Sequence, residues 1–122
     1  MKKTIISIFS LSAILLTGCG VDPKYVSFVQ CLDQKGATMY GAFWCPHCQN
    51  QKEFFKGAFD SDALYVECDP RGRKSNPQLC AEKKVNTFPT WIFEDGSRLA
   101  GEITIPVLAE KTQCPNPEIA EE

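Results

Sequence analysis

The sequence predicts an α/β fold, a small mixed sheet with helices on both faces. Three observations carry that prediction. Apolar residues recur at helical spacing in some stretches and as short compact runs in others. The two kinds of stretch alternate along the chain. A helix opened by proline follows directly on an apolar run at Trp44-Cys45-Pro46. With 122 residues, 43% apolar and 23% charged, there is room for one domain around one core.

Met1-Lys2-Lys3 and the apolar run Ile5 to Leu16 read as a secretory leader, too short to span a bilayer comfortably. The run closes in Leu16-Thr17-Gly18-Cys19, which resembles the lipobox of bacterial lipoproteins. That resemblance implies a signal peptide over 1–18, lipidation at Cys19, and attachment to a membrane on the extracytoplasmic side of the cell envelope. A short tether over 19–23, a domain over 24–114 and a flexible tail over 115–122 complete the expected organisation. The formal charge of -2 and the lack of a Lys/Arg stripe with interleaved aromatics argue against a nucleic-acid partner. Export also decides how the seven cysteines are read, because disulfides persist outside the cytoplasm.

Within the domain, Tyr25, Phe28, Val29 and Leu32 repeat at helical spacing over Lys24 to Lys35, with Gly36 as the stop. Ala37 to Phe43 fits a buried strand. Pro46 suits a first helical turn, and Phe54, Phe55, Ala58 and Phe59 extend that helix to Phe59. Ala63 to Cys68 reads as a strand, Asp69-Pro70-Arg71-Gly72 as a turn, and Gln78 to Lys84 as a short helix. Thr90 to Phe93 and Arg98 to Gly101 flank the turn Glu94-Asp95-Gly96-Ser97 as a hairpin, and Pro106 opens a last helix ending near Thr112.

Cys45-Pro46-His47-Cys48 is the pattern with the most chemistry in it. At a helix N-terminus, unpaired N–H groups and the macrodipole favour a thiolate at Cys45, the nucleophile of disulfide exchange. Cys48, one turn on, can attack the mixed disulfide that Cys45 forms. His47, the one histidine, can further stabilise the Cys45 thiolate. Two alternatives stand beside this: a structural disulfide, and a metal-binding module using Cys45, Cys48 and His47. A zinc site would need further ligands, and haem attachment would need histidine where Gln49 stands.

Phe43-Trp44-Cys45-Pro46-His47-Cys48 followed by Thr87-Phe88-Pro89-Thr90 resembles the thioredoxin superfamily. The resemblance implies a thioredoxin-like fold, a cis-proline at Pro89 facing the pair, and substrate binding along the Phe88 backbone and beside Trp44. Lys35 to Cys48, Tyr65-Val66-Glu67-Cys68, Leu79-Cys80 and Phe88-Pro89-Thr90-Trp91 are similar to the thioredoxin-like domain fused to bacterial vitamin K epoxide reductase homologues. That likeness spans roughly Tyr25 to Cys114. It implies a thiol-disulfide oxidoreductase acting as an oxidase of exported protein thiols, with no cofactor or metal of its own. A separate, quinone-linked membrane partner of the vitamin K epoxide reductase type would reoxidise it. The same residues run backwards would make a reductase or isomerase.

Thioredoxins carry a buried carboxylate six residues before the first cysteine, and Met39 stands there. Glu67, beside Cys68, is the candidate to replace it; an exposed glutamate at the strand end is the alternative. Cys31, Cys68, Cys80 and Cys114 permit three pairings. Cys68 with Cys80 is favoured because the two bracket the loop Asp69 to Leu79, which leaves Cys31 with Cys114; a relay from one pair to Cys45 and Cys48 is the alternative. Arg71, Arg73 and Lys74 read as a solvated charge cluster.

Overall fold

A computed structural model describes residues 20–119. The leader expected over 1–18 and the expected lipidation site Cys19 lie outside the described residues, as do the last three residues. Among the described residues no helix is long and apolar enough to cross a membrane.

Helix α1 runs Pro23–Gln34, with Asp22 as its cap: the carboxylate accepts from the Lys24 N–H at 2.9 Å. It buries Tyr25, Phe28, Val29 and Leu32. It stops at Gly36, whose φ of +71° suits only glycine without strain, and where a side chain would press on Glu94. The chain then enters β1 (Thr38–Gly41) and α2 (Pro46–Glu53). A short α3 (Ser61–Leu64) leads straight into β2 (Tyr65–Glu67). Next come α4 (Pro77–Glu82), β3 (Thr90–Ile92), β4 (Arg98–Ala100) and α5 (Ile105–Thr112).

The four strands lie in the order β2-β1-β3-β4. β1 is parallel to β2 and antiparallel to β3, and β3 and β4 form the expected antiparallel hairpin. Alternation along the strands divides the core. Met39 and Trp91 join Phe28, Leu32, Phe55, Leu64 and Leu108 in the larger cluster. Their neighbours Tyr40 and Ile92 join Cys80 in a smaller one, packed by Val66, Leu79 and Val85. A mixed sheet between helical layers is thus a thioredoxin-like fold.

Two elements differ from the sequence expectation. α2 ends at Glu53 rather than Phe59, because Lys56 and Gly57 take left-handed φ values of 52° and 87°. Phe54, Phe55 and Phe59 therefore reach the core from a turn instead of a helix face. The start of the expected strand at Ala63 belongs to α3, since the Asp60 carboxylate caps it by accepting from the N–H groups of Asp62 and Ala63.

Cys31 is joined to Cys114, tying α1 to the segment after α5, and Cys68 to Cys80, clipping the loop between β2 and α4. Constraining the unfolded chain in this way contributes about 2–4 kcal/mol per crosslink.

Candidate active site

Both remaining described cysteines, Cys45 and Cys48, are thiols. Cys45 is the residue that caps α2, its backbone carbonyl accepting from the Gln49 N–H at 3.2 Å. Its side chain makes no capping hydrogen bond, and the sulfur lies beside the positive end of the helix. Across from it the Cys45 thiol points at the Phe88 carbonyl, 3.8 Å away, and the following Phe88-Pro89 peptide is cis. The Gly101 N–H donates to the Pro89 carbonyl at 2.8 Å, which anchors the proline to the segment after β4.

The two sulfurs differ in access. Cys45 is 6% exposed and Cys48 only 1%. Cys48 packs on the bare Cα of Gly41, where any Cβ would stand 2.5 Å from its sulfur. Burial pushes the Cys48 thiol up to about 12 from an ordinary value near 9, and the neighbouring Cys45 sulfur adds to this; a backbone hydrogen bond at Ala42 and the charge of Lys52 pull the other way. Since the folded value lies above the unfolded one, the buried thiol favours folding below pH 9. That contribution is lost as pH rises from 9 towards 12.

Lys52 lies over the Tyr65 ring, 3.8 Å from its centroid, and burial lowers its own affinity for the proton. Lys52→Met should therefore move ionisation of Cys48 to still higher pH, read by alkylation against pH in a chain carrying Cys45→Ser. An unchanged or lower value would show that Lys52 does not act on this thiol.

His47 Nδ1–H donates to the Glu102 carboxylate at 3.0 Å, a pairing 55 residues apart in sequence. Phe43 and Trp44 remain about half exposed next to Cys45, at 48% and 50%. Trp44 is held in place: its Nε1–H donates to Asp69 at 2.7 Å, and its ring meets Phe88 edge-on at 6.4 Å. Arg71 clasps Asp69 through two hydrogen bonds at 3.0 and 2.7 Å and lies 5.9 Å over the Phe43 ring. That guanidinium holds the Asp69 carboxyl well below the usual carboxylate range. Arg71 thus borders the site through Asp69 and Phe43, while Arg71, Arg73 and Lys74 are all exposed, the solvated charge cluster expected from the sequence, with Lys74 paired to the equally exposed Asp62.

Glu102, Asp69, Lys52 and Tyr65 were absent from the sequence-derived site. Asp69 and Tyr65 stand near the cysteine-bracketed loop, which is a weak signal; for Glu102 there is none, because only folding brings it to His47. Among the described residues no group of three or more His, Cys, Asp or Glu side chains is placed to hold a metal.

A thioredoxin-like sheet, a dithiol at a helix start and a proline loop facing it define a class of thiol-exchange scaffolds. No family model matches the chain. Over 93 residues, 74% of its length, it is 43% identical to the thiol-disulfide oxidoreductase LTO1 of Arabidopsis thaliana. The chain spans 24% of that relative. The likeness supports a thioredoxin-like oxidoreductase.

Proposed function

We propose that the chain is an extracytoplasmic thiol-disulfide oxidoreductase that forms disulfides in exported proteins. The observation that supports this reading is the placement of the pair: Cys45 at the helix start with its thiol facing the Phe88 carbonyl, and Cys48 deeper, packed against Gly41. A substrate thiolate attacks Cys45 Sγ of the oxidised pair, the Cys45–Cys48 bond breaks, and Cys48 leaves with the electron pair and takes up a proton. A second substrate thiolate then attacks the substrate sulfur of the mixed disulfide and releases the Cys45 thiolate. The substrate loses two electrons and the pair gains them.

Phe43, Trp44 and the Phe88 backbone offer an apolar rim and an extended edge for the substrate segment. His47, held by Glu102, stabilises the Cys45 thiolate and favours the oxidising direction. A lipid at Cys19 would hold the domain at the membrane. There a quinone-linked partner of the vitamin K epoxide reductase type would return the pair to the disulfide.

The reduction potential of the Cys45–Cys48 couple tests the direction. A value well above that of thioredoxin, about -270 mV, is expected, and a value at that level would make the protein a reductase. Cys48→Ala should trap mixed disulfides at Cys45 with exported proteins. Recovery of no such adduct under oxidising conditions would count against the enzyme.

A further inference from the structure

Gln51 is fully buried on α2, and the exchange steps above give it no part. Its amide Nε2–H donates to the Ile103 carbonyl at 2.8 Å, and its Oε1 accepts from the Ile103 N–H at 2.6 Å. One side chain thus satisfies both main-chain groups of a residue 52 positions away, in the manner of a strand partner. A buried amide costs free energy unless its hydrogen bonds are made, and an apolar side chain would fill the space without that requirement. The placement of a glutamine here therefore answers to Ile103 rather than to packing alone.

Ile103 belongs to a segment without strand or helix, between the end of β4 at Ala100 and the start of α5 at Ile105. Three consecutive residues of that segment are fastened around the dithiol. The Gly101 N–H donates to the Pro89 carbonyl at 2.8 Å, Glu102 takes the His47 Nδ1–H at 3.0 Å, and Ile103 is gripped by Gln51. His47 and Gln51 are four residues apart on α2 and so share one face of it. The His47–Glu102 pair is open to solvent, its side chains 67% and 29% exposed, and a pair so placed holds a ring only weakly by itself. The buried bonds one residue further on supply what it lacks, because they fix the backbone that carries Glu102.

We propose that Gln51 is a positioning residue for the Cys45–Cys48 pair: by clamping Ile103 it holds Glu102 where it orients the His47 ring. This deepens the exchange reading above and rests on His47 stabilising the Cys45 thiolate. With the clamp in place the ring keeps one orientation, and the reduced pair gains its full stabilisation. Without it Ile103 loses both partners, the segment 101–103 is released, and the ring samples orientations that leave the thiolate unsupported. The oxidised pair carries no thiolate and is indifferent to the ring, so the loss shows in the redox equilibrium.

The test is the equilibrium of the Cys45–Cys48 pair with glutathione at about pH 7, for the parent, Gln51→Met, His47→Ala and the double variant. Gln51→Met keeps the length of the side chain and removes both hydrogen bonds. It should move the equilibrium towards the disulfide by about 3-fold or more, and His47→Ala should move it the same way and at least as far. In the His47→Ala background Gln51→Met should add nothing, which a merely structural loss would not reproduce. An unmoved equilibrium in Gln51→Met, or a shift of equal size with and without His47, overturns the proposal. Should Gln51→Met fail to fold, Glu102→Ala removes the next link at the surface, and an equilibrium unmoved there overturns it equally. No effect of His47→Ala would defeat the role of His47 and this proposal with it, while the exchange reading would stand. Failure of the parent to equilibrate with glutathione through Cys45 would instead defeat the exchange reading itself.

Discussion

Cys45→Ser is expected to reduce disulfide exchange to the uncatalysed background while leaving the fold intact. Every feature that makes the site reactive converges on this sulfur. It stands at the N-terminus of α2 without a capping hydrogen bond, and it is the more accessible of the two thiols. Cys48 cannot replace it, since its thiol stays protonated through the physiological range and is sealed against Gly41. A hydroxyl at position 45 has the right size but does not ionise there, so no mixed disulfide forms. The measurement is the rate of oxidation of a dithiol peptide by the oxidised parent and by the variant. Appreciable exchange by Cys45→Ser would move the nucleophile elsewhere.

Phe55→Ala should cost about 3–5 kcal/mol of stability. The ring is fully buried and sits among three others, with centroids 6.1 Å from Phe28, 5.2 Å from Phe59 and 6.2 Å from Trp91. It joins α1, the turn after α2 and the central strand β3, so the hole cannot close by a local shift. Urea unfolding with both crosslinks intact gives the number. A loss below about 1 kcal/mol would mean that the neighbouring rings collapse into the space. Because Phe55 follows α2 directly, the variant should also exchange disulfides more slowly, as the helix that aims Cys45 loses its footing.

The order of elements was legible because local rules act on neighbours in sequence. Helical spacing and Gly36 delimited α1; the turn Glu94-Asp95-Gly96-Ser97 marked the hairpin; Pro46 set the start of α2. Where α2 ends was not, since Phe54, Phe55 and Phe59 continue an apolar pattern while the left-handed turn at Lys56 and Gly57 delivers the same rings to the core. Nor was the setting of the dithiol. His47 meets Glu102, Trp44 meets Asp69, and Glu67 is covered by the loop through Gly72, each a product of tertiary packing that carries no local mark. Glu67 was named from the sequence but its partner Tyr65, two residues away on one strand face, was not, and nothing in their spacing says that the face is buried.

The Cys31–Cys114 bond has a mechanical consequence. All four strands lie between residues 38 and 100, inside the segment that this bond encloses. Tension applied to both ends of the chain is therefore borne by a covalent link from α1 to the segment after α5, and the sheet carries none of it. Stretching the oxidised domain would extend only what lies before Cys31 and after Cys114. The ladder β2-β1-β3-β4 comes under load only once that link has been cut.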